Sequence, residues 1–347
     1  MKPDARAAQR FFEGLTEVCP VAELDHIHLV HWTTELPSPV EILTPLGFKG
    51  TLVAGRQSIF QRFNDHQPRI ERKLDDHPSA GVASAGILME LMPGKEATRF
   101  AIQRALSCLQ PGKHLWVFGS REDGIASLQT LFPKAETVYY KGHLRLVALK
   151  AEEGELPQQE EFQSMVVNGV ELATRPGLFS WNRPDPASLL LLETITSTPG
   201  ERLLDFGCGN GLLGITLAKQ WPECQVVMSD DLYSAVKCCQ QSIAINQLEK
   251  RCQVVAENGI GQQLSRMRFN TIVSNPPFHR GTRSDYQIAR QFITSATNIL
   301  APGGELRLVG SRFLDYGGIM ATLLKGVEPI QQEDNFVVWR AFRSNKP

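Results

Sequence analysis

A glycine-rich segment between two apolar stretches is the strongest chemical signal in the sequence. The run Leu203–Phe206 has the pattern of a buried strand, the apolar run from Leu212 that of a helix, and Gly207, Gly209 and Gly211 lie between them. Glycines let a backbone approach a ligand closely, and N–H groups at a helix N-terminus favour polar or anionic groups. The sequence therefore predicts a ligand-binding turn between a strand and a helix.

The residues around this turn separate two cofactor classes. A dinucleotide-binding pattern, G-x-G-x-x-G, would need its third glycine where the sequence has Leu212. Asp205 precedes the turn, so the segment instead has the pattern Asp-x-Gly-x-Gly-x-Gly, which is typical of S-adenosylmethionine loops. The pattern indicates S-adenosylmethionine as the cofactor, held by Asp205 and the three glycines, and disfavours the alternative of a nicotinamide oxidoreductase.

Polar residues follow the next two predicted strands. Asp230 and Asp231 come at the end of the second strand, where a carboxylate can accept hydrogen bonds from both ribose hydroxyls. We assign that role to Asp230, whereas Asp231 either caps the following helix or borders the adenine. Asn258 follows the third strand and is predicted to meet the adenine amino group. These side chains would complete an adenosine site.

The fourth predicted strand ends in the tetrad Asn275-Pro276-Pro277-Phe278, which we predict to be the catalytic segment. Proline lacks an N–H and restricts the residue before it to extended conformations, so the tetrad should present carbonyl oxygens and the Asn275 side chain rigidly. Such a site accepts hydrogen bonds from an exocyclic amino group and orients its nitrogen towards a methyl donor. Phe278 can stack on a planar base or amide. The tetrad thus predicts N-methylation without a covalent intermediate.

Arginines concentrate around the tetrad. From Asn258 to Leu300 the sequence has five arginines and one acidic residue. We predict that Arg280 and Arg283, with His279 at the rim, contact RNA phosphates. A positive surface on and around the catalytic loop would follow. The same stretch also contains Arg266, Arg268 and Arg290.

The net charge of the whole chain does not reveal the positive charge around the tetrad. The formal net charge is -1, with 36 Lys and Arg against 37 Asp and Glu, which by itself argues against a polyanionic partner. Residues 151–171, however, hold six glutamates and no lysine or arginine, as a solvated linker does. Both flanking parts of the chain are therefore mildly basic, and RNA is not excluded as a partner.

Strand and helix patterns alternate along the C-terminal half, which predicts a doubly wound, mostly parallel α/β sheet. An Asn168-Gly169 turn within residues 165–172 predicts a hairpin that leads into it. The predicted strands cover residues 202–206, 225–229, 252–256, 269–274 and 305–310, with two closing strands near 327–330 and 336–342, and the predicted helices cover 212–219, 234–246 and 285–300.

An internal repeat extends this fold to the N-terminal half. Leu109–Arg121 matches Leu300–Arg312 without gaps at seven of 13 positions, each with the pattern of a helix end, a Pro-Gly turn and a buried strand. A chain of 347 residues also exceeds the usual size of one core. We therefore predict two tandem Rossmann-like domains, over residues 1–150 and 165–347, joined by an acidic linker over 151–164.

These motifs together resemble those of class I methyltransferases, and the extended motif Asn-Pro-Pro-Phe-His at 275–279 narrows the resemblance. With Pro-Gly-Leu-Phe-Ser at 176–180 and Asp-Pro-Ala-Ser at 185–188, the C-terminal half is similar to the ribosomal RNA guanine-N2 methyltransferases of the RsmC/RlmG type. The similarity spans roughly residues 165–343. It implies methyl transfer from S-adenosylmethionine to the exocyclic N2 of one guanine in ribosomal RNA.

The resemblance also implies roles for individual residues and for the first half. Asn275 and Pro276 would take the guanine amino group, and Phe179 and Ser180 match a segment expected near the cofactor. Members of the family carry a degenerate N-terminal methyltransferase-like domain, which agrees with the repeat. In the first copy, residues 92–94 (Met-Pro-Gly) stand where a tetrad is expected and the glycine-loop pattern is missing. That copy should be inert and should position RNA or act structurally.

Two other functions fit part of the pattern. A protein glutamine amide could also fill an Asn-Pro-Pro site, and a non-catalytic RNA-binding assembly protein could retain the cofactor pocket alone. The Phe-His continuation and the paired domains favour ribosomal RNA or a ribosomal subunit assembly intermediate. A target base must leave its stack to reach Asn275, so an unpaired guanine is the expected substrate. The guanine and the subunit stay open.

Composition disfavours further classes of protein. The seven cysteines are scattered without a C-x-x-C spacing, so neither a disulfide framework nor a zinc site is indicated and no metal is expected. The N-terminal residues have mixed charges instead of the apolar run of a signal peptide, and no stretch approaches the ~20 apolar residues of a membrane span. We expect a cytoplasmic protein, monomeric and without a membrane partner.

Overall fold

The computed structural model describes residues 11–29, 39–61, 71–74, 84–152, 161–276 and 283–345, without the side chains of 40, 71–74 and 283–285. The chain divides into two compact units, Met1–Glu161 and Phe162–Pro347. Each unit has its own sheet and its own apolar core.

Both units contain a seven-stranded sheet with one and the same strand order. The order is β3-β2-β1-β4-β5-β7-β6 in the first unit and β12-β11-β10-β13-β14-β16-β15 in the second. Neighbouring strands are parallel except where β7 and β16 run antiparallel to both of their neighbours. The strands are β1 His26–Leu29, β2 Thr51–Ala54, β3 Glu71–Leu74, β4 Ser84–Glu90, β5 Leu109–Ser120, β6 Glu136–Lys141, β7 Leu144–Lys150, β10 Arg202–Phe206, β11 Gln225–Asp230, β12 Cys252–Ala256, β13 Phe269–Ser274, β14 Leu300–Ser311, β15 Lys325–Glu333 and β16 Phe336–Phe342.

Helices alternate with the strands, and a separate hairpin precedes the second sheet. The hairpin consists of β8 Gln163–Val167 and β9 Val170–Thr174, joined by the predicted Asn-Gly turn. A helical segment over 11–15 and two short 3-10 helices complete the first unit. The α-helices are α1 Pro39–Leu43, α2 Gln57–Phe60, α3 Lys95–Ser107, α4 Leu128–Leu131, α5 Pro186–Glu193, α6 Leu212–Gln220, α7 Tyr233–Ile245, α8 Gln262–Ser265, α9 Arg283–Ile299 and α10 Tyr316–Ala321.

The central strands of the second unit are apolar on both faces. Leu203 and Leu204 are consecutive in β10 and both are fully buried, as are Ile272 and Val273 in β13. Successive side chains of a strand point to opposite faces, so both faces must be covered, which is the situation in a parallel sheet between two layers of helices. These strands therefore form the buried centre of the sheet, and the residues at their carboxyl ends can form a site.

The secondary structure predicted for the second half is confirmed, with one correction. Strands β10, β12 and β13 have the predicted bounds. The correction concerns the two repeated segments, which form strands β5 and β14 from Leu109 and Leu300 onward. The Pro-Gly turn that was expected before each strand is therefore part of the strand. Leu300 pairs with Phe269 and Glu305 with Thr271, so residues 301–304 bulge out of the ladder. The Pro-Gly sequence thus produces an irregularity within a strand, because a bulge accommodates the proline and the positive φ of a glycine.

The repeat makes the two sheets comparable residue by residue. It equates Val117 of β5 with Leu308 of β14. Val117 pairs with Met89 in the first sheet and Leu308 pairs with Ser274 in the second. The end of β4 therefore corresponds to the end of β13, and Glu90 stands where the second unit has Asn275.

The same comparison shows what the first unit lacks. Ile27 occupies the position of Asp205, because Ile27 pairs with Leu88 of β4 and Asp205 pairs with the equivalent Val273 of β13. The pairing of β1 with β2 and of β10 with β11 likewise places Ala54 at the position of Asp230. The tetrad position is held by residues 90–93, so Met92 and Pro93 of the predicted segment 92–94 fall within it and Gly94 lies beyond it. The first copy keeps the fold and lacks the counterparts of Asp205, Asp230 and Asn275, as expected of a degenerate copy.

The described residues include neither a membrane-spanning helix nor a cluster of metal ligands. No described helix combines the length and hydropathy required to cross a membrane. Within the same ranges, no group of three or more His, Cys, Asp or Glu side chains is arranged to hold a metal ion.

Candidate functional site

Three neighbouring strands of the second unit end at the same level. Phe206 of β10 is aligned with Ser229 of β11 on one side and with Ser274 of β13 on the other. The next residues, Gly207, Asp230 and Asn275, therefore lie side by side at the carboxyl edge of the sheet. The chain leaves β10 towards β11 and later crosses back to β13, so this edge is the switch point at which open α/β sheets bind ligands.

The glycine loop has the conformation that its sequence requires. Gly207, Gly209 and Gly211 have φ values of +74°, +56° and +90°, in the left-handed region that side chains disfavour. A Cβ atom on Gly207 or Gly209 would meet nothing within 4 Å, whereas one on Gly211 would lie 2.8 Å from Ile215 Cδ1. The first two glycines therefore face open space suited to a ligand, and the third is also needed for packing under α6.

Asp230 fixes the glycine loop from the neighbouring strand. Its Oδ2 accepts a hydrogen bond from the Gly209 N–H at 3.0 Å, and its Oδ1 accepts one from the Leu232 N–H at 2.9 Å. The Ser229 carbonyl accepts two more bonds from the loop, at 2.8 and 2.9 Å. A carboxylate oxygen has two acceptor sites, so Asp230 can hold the loop and still accept bonds from a ribose. We propose that it does both.

Asp205 is buried directly beneath this loop. Its Oδ2 accepts a hydrogen bond from the Gly214 N–H at 2.9 Å, and its Oδ1 is buried without a hydrogen-bond partner among the described residues. Burial raises the pKa of the Asp205 carboxyl to about 7, the negative charge of Asp230 adds to the rise, and the Gly214 N–H opposes it. Asp205 is thus a supporting group beneath the loop, and its role towards the cofactor stays a prediction.

The raised pKa of Asp205 predicts a pH-dependent stability. Between its ordinary pKa of 3.8 and about 7 the folded protein retains a proton that the unfolded chain releases, so the free energy of unfolding falls as the pH rises through this range. The loss should be about 2–3 kcal/mol between pH 5 and pH 7. Asp205→Asn should remove that part of the dependence. Urea unfolding of both proteins at the two pH values measures it, and parallel pH profiles would contradict the prediction.

The amide of Asn275 is held by two groups of helix α5. Its Nδ2 donates hydrogen bonds to Asp185 Oδ2 at 2.7 Å and to Ser188 Oγ at 2.9 Å. Because a carboxylate only accepts hydrogen bonds, the nitrogen of the amide must face Asp185. Both amide hydrogens are then used, and Oδ1 faces away from these two partners as a hydrogen-bond acceptor. Asn275 is half-buried and is followed by the buried Pro276.

Asp185 has this position because it also begins α5. It is the N-cap residue, its Oδ2 accepts the Ser188 N–H at 2.8 Å, and Pro186 follows in the first turn. Asp185 and Ser188 are both nine-tenths or more buried. The sequence motif at 185–188 does not by itself indicate a chemical role. Its function in the fold is to fix one end of a helix against the Asn275 amide.

The segment before α5 lies beside the helix that follows Asp230. Leu178 packs against Ala235 and Cys238 of α7, and Trp181 packs on the same cluster. Between them Phe179 is 59% exposed and Ser180 has a φ of +51°. The segment thus lies beside the helix that follows Asp230, and the place of Phe179 and Ser180 near the cofactor stays a prediction.

The remaining predicted cofactor residues have mixed outcomes. Helix α7 has Leu232 as its N-cap residue, so the proposed capping role of Asp231 was wrong, and its place beside the adenine stays a prediction. Asn258 is exposed after β12, while its neighbour Glu257 is buried. The Glu257 carboxylate accepts hydrogen bonds from the N–H groups of Gly261, Gln263 and Leu264. Glu257 therefore builds the turn into α8, which leaves Asn258 available for the adenine.

Half of the predicted catalytic tetrad and most of the predicted RNA-binding residues lie outside the described residues. The catalytic residues concerned are Pro277 and Phe278, and the RNA-binding residues are His279 and Arg280. Only the backbone of the third predicted RNA-binding residue, Arg283, is described, at the start of α9. Their roles stay predictions.

Two of the arginines grouped with the catalytic loop lie elsewhere. Arg266 and Arg268 precede β13, while Asn275 follows it. A six-residue strand separates its ends by about 20 Å. The expectation that these two arginines surround the catalytic loop was therefore wrong, because closeness in sequence across a strand places residues at opposite edges of a sheet.

Sequence and structure comparisons agree with this description of the fold. The family model described as "Methyltransferase small domain" matches residues 169–340. A solved structure described as the T. thermophilus 16S rRNA N2 G1207 methyltransferase (RsmC), in complex with AdoMet and guanosine, is similar with a TM-score of 0.72 and 24% identity. The similarity covers 94% of this chain and 92% of that one. The fold and the glycine loop define a Rossmann-like methyltransferase of two tandem units.

Curated relatives define the family more narrowly. The Ribosomal RNA small subunit methyltransferase C of Stutzerimonas stutzeri is 32% identical over 77% of this chain and 81% of the relative. The protein of that name from Pseudomonas aeruginosa is 31% identical over 84% of this chain and 87% of the relative. The chain belongs to the ribosomal RNA small subunit methyltransferase C family.

Proposed function

We propose that this chain transfers a methyl group from S-adenosylmethionine to the N2 amino group of one guanine in the RNA of the small ribosomal subunit. The observation that carries the proposal is the orientation of the Asn275 amide, whose Oδ1 is left as the acceptor at the carboxyl edge. The relatives' names point to small-subunit RNA, and the solved RsmC structure has AdoMet and guanosine bound. A cytoplasmic location is part of the same proposal.

The residues of the edge fit an adenosine cofactor with a methylsulfonium. Gly207 and Gly209 leave open space in front of a backbone that a side chain would otherwise fill. Asp230 offers acceptor sites for ribose hydroxyls beside that space. We infer that Gly207, Gly209 and Asp230 hold the cofactor, which when bound supplies an electrophilic methyl group.

Asn275 and Pro276 would orient the nucleophile. The lone pair of a guanine N2 is delocalised into the ring, so the amine is a weak nucleophile. Asn275 Oδ1 and the Pro276 carbonyl can accept its two N–H bonds and place the nitrogen in line with the methyl carbon. The N–C bond forms while the carbon–sulfur bond breaks, its electron pair stays on sulfur, and the amine proton passes to water. Catalysis is then positioning and electrostatic stabilisation, with no covalent protein intermediate.

A comparison of ribosomes with and without the protein tests this function. Small-subunit RNA from cells that lack the gene should miss one N2-methylguanine, located by mass mapping. The purified protein with S-adenosylmethionine should restore that mark on isolated small subunits, and Asn275→Ala protein should not. An unchanged methylation map, together with no transfer to subunits or to free RNA, would refute the proposal.

A further inference from the structure

An exposed aromatic ring stands at the carboxyl edge of β14, the strand next to β13. Ser274 is aligned with Leu308, and β14 continues to Ser311. At about 3.3 Å per residue, Ser311 lies about 10 Å further out than Ser274. Arg312 and Phe313 follow it. Phe313 therefore follows the end of β14, next to β13 and its following residue Asn275. Both residues lie at the carboxyl edge of the sheet, where the substrate must enter.

The backbone at this position is fixed. The Arg312 N–H donates to the Asn335 carbonyl at 2.9 Å, and the Phe313 N–H donates to Ser311 Oγ at 3.3 Å. Leu314, next in the chain, is 5% exposed. The Phe313 side chain, in contrast, is 66% exposed. The turn thus holds a phenyl ring out in solvent on a rigid support.

A cation accompanies this ring. The Arg312 guanidinium carbon lies 5.2 Å from the Phe313 ring centroid, within the range of cation–π contact. Aromatic rings and arginines next to one another are the groups on which unpaired nucleotides stack, because every base has a π-face and the phosphate is negative. The nearby Asp315 carboxylate is used to cap α10 through the Gly318 N–H. The pair therefore has the chemistry of a single-stranded RNA contact.

The first unit shows that the fold does not need this ring. The repeat equates Arg312 with Arg121, so the position of Phe313 is held by the exposed Glu122. Ser120 and Arg121 are retained there in the same order as Ser311 and Arg312. The unit that lacks Asp205, Asp230 and Asn275 thus also lacks the ring. At this position the exposed phenyl group occurs only in the unit with the site, which favours a role in binding over a role in the fold.

We propose that Phe313, with Arg312 beside it, stacks on the unpaired nucleotide next to the target guanine. The proposal rests on the proposed function and deepens it, because it names how the flanking RNA is recognised. Stacking of one base would hold the RNA strand at the edge while the guanine reaches Asn275. It would affect RNA binding and leave the cofactor site unchanged.

The test is Phe313→Ala in the full chain, assayed with small subunits from cells lacking the gene. We expect the KM for subunits to rise about tenfold or more, with kcat nearly unchanged, since loss of one stacked base weakens binding by about that factor. The affinity for S-adenosylmethionine, measured by calorimetry, should not change. Phe313→Trp should restore the KM because an indole stacks at least as well.

Phe342→Ala is the matched control. Its ring lies 5.6 Å from the Arg340 guanidinium carbon, and Phe342 pairs with Glu305 near the opposite edge of the sheet. Removal of this ring should leave the KM for subunits unchanged. An unchanged KM for Phe313→Ala, or an equal rise in both variants, would overturn the stacking proposal while methyl transfer by the wild type continued. Absence of transfer by the wild type would instead refute the proposed function.

Discussion

Replacement of Asn275 by alanine should lower kcat for methyl transfer about 100- to 1,000-fold, the usual effect of removing one preorganised hydrogen-bonding group. The variant loses the Oδ1 acceptor that orients the amine. Binding of S-adenosylmethionine should be nearly unchanged, because the glycine loop is held by Ser229 and Asp230 and not by Asn275. Single-turnover transfer of a labelled methyl group to small subunits measures the chemical step, and calorimetry measures the cofactor affinity.

Asp185→Ala is the informative companion to this variant. It retains the Asn275 side chain and removes the carboxylate that dictates which end of the amide faces the substrate. We expect an intermediate loss of kcat with unchanged cofactor affinity, and α5 also loses its N-cap, worth about 1 kcal/mol of stability. Full activity of Asn275→Ala would exclude the proposed mechanism. Full activity of Asp185→Ala alone would exclude only the orienting role of the carboxylate.

Replacement of Asp230 by alanine should weaken S-adenosylmethionine binding about 100-fold. Two effects combine, since the variant loses the ribose acceptor and leaves the Gly209 and Leu232 N–H groups without the carboxylate that binds them. Loss of hydrogen bonds to a charged group costs about 1.5–3 kcal/mol each, which is enough for this factor. Calorimetry with S-adenosylmethionine measures the dissociation constant directly.

A control for Asp230 is available near the other end of the same strand. Glu223 is an exposed acid that precedes β11, at the edge away from the glycine loop. Glu223→Ala makes the same change of charge and should not alter cofactor affinity. If Asp230→Ala bound the cofactor as tightly as Glu223→Ala, the ribose assignment would be wrong and the loop would not depend on this carboxylate.

The parts of the site that the sequence predicts are those formed by local order along the chain. A strand followed at once by glycines and a helix can fold in few ways, so Gly207, Gly209 and the bounds of β10 follow from adjacent residues. Asp230 and Asn275 follow from the rule that parallel strands bring their carboxyl ends to one edge. These predictions need only the alternation of strands and helices.

Contacts between distant segments could not be predicted in this way. The hydrogen bond between Asn275 and Asp185 joins residues 90 positions apart, and the type of neither residue predicts its partner. The burial of Glu257 next to the exposed Asn258 could not be predicted either, because the sequence of a loop does not reveal which of two adjacent side chains is buried. Arg266 and Arg268 show the opposite case. They are close to Asn275 in sequence but distant from it in space, because strand β13 lies between them.

The duplicated sheet has a consequence for how this protein can change. Ile27, Ala54 and Glu90 show that one sheet order accepts apolar, small or charged residues at the positions of Asp205, Asp230 and Asn275. The sheet order therefore does not depend on the polar residues of the site. Substitutions at these three positions should consequently change binding or activity without changing the order of the strands.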